Sequence, residues 1–358
     1  MIKFIHTGDI HLGLQFNNVS FDKEKAIVRR RELWSTFERI VDYTKENNAD
    51  FLFIAGDLFE EEYFTLADIN RVNDILGKIH NIKVIIIAGN HDYLNSRSLY
   101  NRIEWNENIF IFKDNQIESL EFPELNTIIY GYSWDRVEIK GNTLLDELHI
   151  EGDMNRILLL HGDISNSSNY LPLDLKELKG LNMDYIGLGH IHKPEIIEKN
   201  IAYCGSPEPL DFGETGERGF VEGHISDKDI KIKFVPFSKR KFWYEEIIIN
   251  EDMGYQDIIE FFRNINQGRK DIDFYRIKLE GFIQKEIDVN SLFETIKDEF
   301  YHLEIKDNTI FDYDLEALEA TYQNNIIGDF IKDMRRKGLD DPIVKDALYI
   351  GLEALLKE

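Results

Sequence analysis

Apolar residues in positions 1–235 fall into short runs separated by stretches with helical spacing. Ile2–His6 reads as a strand. From Phe21 to about Asn47, Ile27, Leu33, Trp34, Phe37, Ile40 and Val41 recur near the 3.6-residue period of a helix. Phe51–Ala55 is a β-branched and aromatic run that stops at Gly56. Leu66–Ile79 has helical spacing, and Val84–Ala88 is a further buried strand that stops at Gly89. Later strands are predicted at Thr127–Tyr130, Ile157–Leu160, Tyr185–Leu188, Ile201–Tyr203, Phe220–Ile225 and Ile230–Val235. Strands alternating with helices predict an α/β fold with helices over the sheet faces. The close spacing of strands after residue 184 predicts antiparallel pairs, hence mixed sheets.

The pattern changes near Pro236. Glu245–Ile249, Tyr255–Ile265, Phe274–Glu280, Val289–Phe300 and His302–Ile305 read as strand, helix, strand, helix, strand. From about Leu315 the chain reads as helical throughout. Ile343, Ala347, Ile350 and Ala354 form one stripe of the last helix, with Val344, Leu348 and Leu355 beside it. Three segments follow: 1–238, 239–312 and 313–358.

Length and composition agree with this division. A chain of 358 residues exceeds one ordinary core, and 43% hydrophobic residues are enough to build more than one. Cys204 is the only cysteine, which excludes an intrachain disulfide or a cysteine-based zinc cluster and fits a reducing, cytoplasmic setting. The opening MIKFIHTGDIHLG lacks a charged stretch followed by a long apolar one, so no signal peptide is expected. No apolar window is long enough for a membrane span. The net charge of −25 opposes long-range attraction of a polyanion. Binding of nucleic acid would need divalent metals, a partner or local basic patches. Candidate patches are Arg29-Arg30-Arg31, Lys239-Arg240-Lys241 and Arg335-Arg336-Lys337.

The residues that carry chemistry sit where apolar runs end. In chain order they are Asp9-Ile10-His11, Gly56-Asp57, Gly89-Asn90-His91-Asp92, His161-Gly162 and Gly189-His190-Ile191-His192. A strand end holds a side chain with little positional freedom, and glycine lets the backbone approach an ion closely. In extended backbone, residues two apart share a face, which aligns Asp9 with His11 and His190 with His192. Any one of these histidines would more often be structural, and a lone Gly-Asp is weak. Five such segments in one order are hard to obtain by chance.

Imidazole mixed with carboxylate and amide oxygen suits Mn²⁺, Fe²⁺ or Zn²⁺ better than Ca²⁺. Asp9, His11, Asp57, Asn90, His161, His190 and His192 are too many ligands for one tetrahedral ion but suit two that share a carboxylate. Two such ions activate a water and clamp a phosphate for in-line attack. An unligated histidine nearby would assist the leaving oxygen. His6, His80, His149, His224 and His302 lack this context and are read as structural or surface residues.

The order D-x-H, G-D, G-N-H-D, H-G, G-H-x-H resembles the calcineurin-like metallophosphoesterase superfamily. The wording His6–Gly13, Ala55–Phe59, Gly187–Pro194 and Tyr203–Pro207, followed by Pro209-Leu210, resembles its SbcD / Mre-eleven branch of DNA repair nucleases. The resemblance covers residues 1–235 and, beyond them, the arrangement of elements. It implies a four-layer αββα sandwich with mixed sheets, a small α+β cap domain and C-terminal helices. It implies two divalent ions, commonly Mn²⁺, with Asp9, His11, Asp57 and His192 on one, and Asp57, Asn90, His161 and His190 on the other. His91 would be no ligand but would steady the phosphate or protonate the leaving group, positioned by Asp92.

The resemblance also implies a metal-dependent DNA exonuclease and endonuclease working with an SbcC-like coiled-coil ATPase. The cap, 239–312, would contact DNA and 313–358 would dock the ATPase. A homodimer would form through helices of the phosphoesterase domain. Where members often carry Asp or His and then Pro, this chain has Glu60-Glu61-Glu62-Tyr63. Small-molecule phosphodiester hydrolysis and a non-enzymatic DNA-end scaffold are the alternatives.

Overall fold

The computed structural model describes residues 1–17, 21–114, 116–141, 144–148, 152–165, 168–266 and 268–356. His149 lies outside them. Two compact units emerge, Met1–Lys241 and Phe242–Glu358.

The first unit runs β1 (Ile2–Thr7), α1 (Lys23–Glu46), β2 (Phe51–Ala55), α2 (Leu66–Gly77), β3 (Lys83–Ile87), β4 (Ile109–Ile111), β5 (Glu118–Phe122) and β6 (Thr127–Gly131). It continues with β7 (Asn155–His161), α3 (Leu175–Gly180), β8 (Tyr185–Gly189), β9 (Glu195–Glu198), β10 (Ile201–Tyr203), β11 (Gly219–Ser226) and β12 (Asp229–Pro236). One six-stranded sheet has the order β12-β11-β1-β2-β3-β4 and the other β5-β6-β7-β8-β10-β9. Both are mixed, with β1, β2 and β3 parallel in one and β6, β7 and β8 parallel in the other.

Alternation within the strands builds the layers. In β2, Phe51, Phe53 and Ala55 point between the sheets, where they meet Ile129, Ile157, Leu159 and Tyr185. Leu52 and Ile54 point the other way, onto Leu33, Phe37, Ile40 and Val41 of α1 and Ile69, Val72 and Leu76 of α2. A third apolar cluster covers the outer face of the second sheet, with Leu178 of α3 among Leu158, Leu160, Ile186 and Leu188. This is the four-layer αββα arrangement. A strand buried on both faces reads as an unbroken apolar run, which is why β2 was legible.

Helix ends follow local chemistry. Asp22 caps α1 by accepting the Lys25 N–H at 2.7 Å, and Thr65 with Asp68 forms a capping box on α2. Sequence periodicity misses β4, β5, β9 and α3. β4 is three residues long and α3 six, too short for a period to show. β5 and β9 are sheet edges with charged, exposed positions. The expected antiparallel pairing after residue 184 holds for β11 with β12 and for β9 with β10, but β8 pairs with β10 in parallel. β9 inserts between them in sequence and takes the edge.

The second unit runs β13 (Phe242–Ile249), α4 (Tyr255–Asn264), β14 (Phe274–Gln284), α5 (Val289–Ile296), β15 (His302–Asp312), α6 (Leu315–Thr321), α7 (Ile326–Lys337) and α8 (Pro342–Leu356). Its three strands are parallel and in the order β13-β14-β15, so α4 and α5 are crossovers. Ile247, Ile249, Ile277 and Leu279 bury against Ile258, Ile259, Phe262 and Leu292 of those helices. A separate cluster joins Ile327, Ile331 and Met334 of α7 to Leu348, Tyr349 and Leu352 of α8, and Ile343 and Ile350 remain exposed. Among the described residues, no helix is long and apolar enough to cross a membrane.

In two of the three basic stretches one arginine is buried. Arg29 is fully buried and pairs with Glu32 at 2.7 Å and Glu208 at 3.2 Å. Arg240, also buried, donates to Glu32 at 2.8 Å. Thr36 Oγ1 and the Lys239 backbone N–H donate to the remaining Glu208 oxygen at 2.7 and 2.6 Å. Burial of one arginine from each stretch in this network removes it from any surface that could meet a polyanion.

Candidate metal centre

The parallel strands of both sheets deliver their C-terminal ends to one place. Asp9 and His11 follow β1, Asp57 follows β2, Asn90 follows β3, His161 closes β7, and His190 and His192 follow β8. The chain turns sharply at each end. Asp9, His11, Asp57 and His190 have positive φ (48°, 50°, 50° and 91°), a region that costs a residue with a side chain about 1–2 kcal/mol. Strain gathered on candidate ligands is what an over-determined functional site stores. Two glycines allow the close approach. A Cβ on Gly56 would lie 2.3 Å from His161 Nδ1, and one on Gly189 would lie 1.9 Å from the Ala55 carbonyl oxygen.

All seven expected ligands converge. Three overlapping groups bring ligand atoms within 4.8 Å of one another: Asp9, His11 and His192; His11, Asp57 and His91; Asp9, Asp57 and His161. Asp57 Oδ1 accepts the His91 backbone N–H at 2.8 Å. Its other oxygen, Oδ2, lies 3.3 Å from His161 Nε2 and 3.8 Å from His11 Nε2. One carboxylate oxygen thus stands between the two halves of the set. Asn90 Oδ1 lies 3.0 Å from His161 Nε2 and 3.2 Å from His190 Nδ1. Both Asp9 oxygens accept the His190 backbone N–H, at 3.0 and 3.1 Å.

The donor set fits a pair of cations for a reason visible in the tautomers. His161 Nδ1 meets the Ala55 carbonyl at 2.9 Å, and a carbonyl can only accept, so Nδ1 carries the proton. In the neutral ring the Nε2 lone pair then faces two oxygens. His11 Nδ1 meets Glu60 Oε1 at 2.7 Å, and His192 Nδ1 meets Glu214 Oε1 at 2.5 Å. Their Nε2 atoms, 3.1 Å apart, therefore turn lone pairs towards each other. Lone pairs facing lone pairs in a buried site require positive charge between them, a proton or a metal ion.

The electrostatics carry the same demand. Burial opposes charge on His161, yet Asp57 beside it raises its pKa to about 9. Burial also opposes charge on His192, but its hydrogen bond to Glu214 and the nearby charge of Asp9 raise its pKa to about 9. Burial and the neighbouring His161 push His190 the other way, down to about 3. Asp9 is raised by burial. Asp57 is held well below the usual carboxylate range, burial being outweighed by His161 and His11.

His91 lies at the more open side, with 43% of its side chain exposed. Its Nδ1 meets Glu60 Oε2 at 2.9 Å. Asp92, expected to position it, is engaged elsewhere. Its carboxylate accepts from the backbone N–H of Gly89, Leu58 and Asp57 at 2.6, 2.8 and 3.2 Å and from the Tyr100 hydroxyl at 2.7 Å. Asp92 shapes the Asp57 and Gly89 turns and reaches His91 only as a nearby charge. Burial and Asp57 raise its pKa to about 6.

Two site residues escaped the sequence reading. Glu60 joins His11 to His91 through its two oxygens, and Glu214 backs His192. Of the other histidines, His6 is buried and meets the Tyr185 hydroxyl at 2.7 Å. His302 is buried beside Glu304, His224 is half-buried and His80 exposed.

The sequence model of the calcineurin-like phosphoesterase family matches residues 2–194, more than half of the chain. The chain belongs to that family. It is 30% identical over 250 residues to the uncharacterized metallophosphoesterase YhaO of Bacillus subtilis (strain 168), a match covering 65% of this chain. The chain spans 60% of that relative's length. The solved structure of TT1561 of Thermus thermophilus is similar over 65% of this chain and 98% of its own, with a TM-score of 0.40 and 13% identity.

Proposed function

We propose that the chain is a metal-dependent phosphodiesterase acting on DNA, the nuclease subunit of a complex with a coiled-coil ATPase. The carrying observation is the convergence of His11, His192 and His161 on Asp57 with lone pairs facing inward, a donor set that fits two divalent cations. Asp9, His11, Asp57 and His192 would hold one ion, and Asp57, Asn90, His161 and His190 the other, with Mn²⁺ the expected metal. Bound there, the ions would activate a water and neutralise phosphate charge.

The chain's own residues do the rest. Glu60, ionised because His11 and His91 outweigh its burial and lower its pKa to about 2, fixes both imidazoles by their Nδ1 atoms. That leaves His91 Nε2 to protonate the leaving oxygen. Asp92 keeps the Asp57 turn in place.

The wording of residues 6–13 and 187–194 supports DNA as substrate. The −25 charge and the buried Arg29 and Arg240 favour a second reading, hydrolysis of small phosphodiesters. Turnover of labelled duplex DNA and of bis-p-nitrophenyl phosphate, each with Mn²⁺ and with and without the ATPase, separates the two. DNA cleavage supports the first reading; activity confined to the small ester overturns it. The second unit as a DNA-contacting cap, the helices from Leu315 as the ATPase dock and a homodimer belong to the same proposal.

A further inference from the structure

His192 is gripped from two directions by one loop. Its backbone carbonyl accepts the Ser206 N–H at 2.9 Å, with the Ser206 hydroxyl oxygen 3.4 Å away. Gly205, at φ +71°, lets the loop come this near, since a Cβ there would lie 2.7 Å from that carbonyl oxygen. The imidazole is held by Glu214 Oε1 at 2.5 Å. The other oxygen, Glu214 Oε2, accepts the Leu210 N–H at 2.9 Å and the Ser206 hydroxyl at 3.1 Å, and Arg218 Nε stands 3.8 Å away. With 14% of its side chain exposed, Glu214 is anchored on one side by its own loop and on the other by a ligand candidate.

We infer that Glu214 is a positioning residue that makes His192 a metal ligand and thereby sets occupancy of one of the two cation positions. A carboxylate on Nδ1 keeps the proton there, presents the Nε2 lone pair to the space shared with His11 and Asp9, and raises the basicity of the ring. The inference rests on the metal-dependent reading proposed above. It needs no particular substrate.

The test is calorimetric titration of Mn²⁺ into the metal-free full chain. The wild type is expected to take up two ions. Glu214→Gln, which removes the charge while keeping the shape, is expected to retain one and to bind the other about 10–100-fold more weakly. The electron paramagnetic resonance signal of a coupled Mn²⁺ pair should fade in parallel. Glu208→Gln is the control, because Glu208 anchors the same loop to Arg29 and Thr36 without touching His192. It should lower the melting temperature with both ions retained. If Glu208→Gln reproduced the loss of one ion, Glu214 would be only a loop anchor.

Nitrogen NMR of the wild-type imidazoles needs no variant to fold. With diamagnetic Zn²⁺ bound in place of Mn²⁺, it should find the only His192 ring proton on Nδ1, and a proton on Nε2 would overturn the inference. Two ions bound at wild-type strength by Glu214→Gln would also overturn it while leaving the metal centre intact. No Mn²⁺ uptake by the wild type would overturn both.

Discussion

The two imidazole pairs of the site are built differently. His11 and His192 are each backed by a carboxylate, Glu60 and Glu214; His11 is buried and 28% of the His192 side chain is exposed. His161 is backed by a backbone carbonyl and fully buried, with Trp134 edge-on at 5.8 Å. Tyr170 lies beside His190 at 5.0 Å. A carboxylate donates more electron density to a ring than a carbonyl does and raises its basicity. The carboxylate-backed pair therefore supplies the more basic rings, and His161 is fixed by the fold itself. Asp57 is the carboxylate assigned to both, its Oδ2 lying 3.3 Å from His161 and 3.8 Å from His11.

That shared position gives the largest expected effect. Asp57→Asn removes several kcal/mol of stabilisation and should lower phosphodiesterase turnover by about 10³-fold or more. Retained activity would mean that the two halves do not share a metal bridge. His91→Ala touches neither pair directly. It should cost about 10²-fold in kcat, at the low end for general acid catalysis, with Mn²⁺ uptake unchanged. Loss of an ion in that variant would make His91 a ligand, as its grouping with His11 and Asp57 allows.

Glu60→Gln sharpens the contrast, because it strips charge from His11 and His91 and leaves the His161 side untouched. Turnover should fall about 10–100-fold, with the His161 side still loaded. An unchanged rate would show that carboxylate backing does not matter.

Arg240→Ala should have the smallest catalytic effect. It leaves Glu32 paired with Arg29 but short of one buried partner and should cost about 1–3 kcal/mol in urea unfolding. A clear loss of DNA affinity at unchanged stability would instead return this stretch to the surface.

The same contrast marks how far the sequence could be read. The ligands were legible because each ends or follows an apolar run, and strand ends converge when sheets are parallel. The Ala55 carbonyl behind His161 needs no side-chain signal; β2 and β7 bring it there. Glu60 and Glu214 were not legible. Glu60 lies 49 positions from His11, and Glu214 lies 22 positions from His192. Each sits in a loop whose course only tertiary packing sets. Glu60 did carry a faint sign, standing three residues after Asp57 on the same turn. Arg29 and Arg240 misled for a related reason, since a run of basic residues shows charge but not that one of its members is buried against Glu32 and Glu208.

The central claim is that positive charge belongs between facing imidazole lone pairs, held by one shared carboxylate. Anomalous diffraction from crystals grown with Mn²⁺ tests it directly. Two ions about 3.5–4 Å apart are expected, one against His11 and His192 and one against His161 and His190, with Asp57 touching both. A single ion, or ions bound away from Asp57, would contradict it.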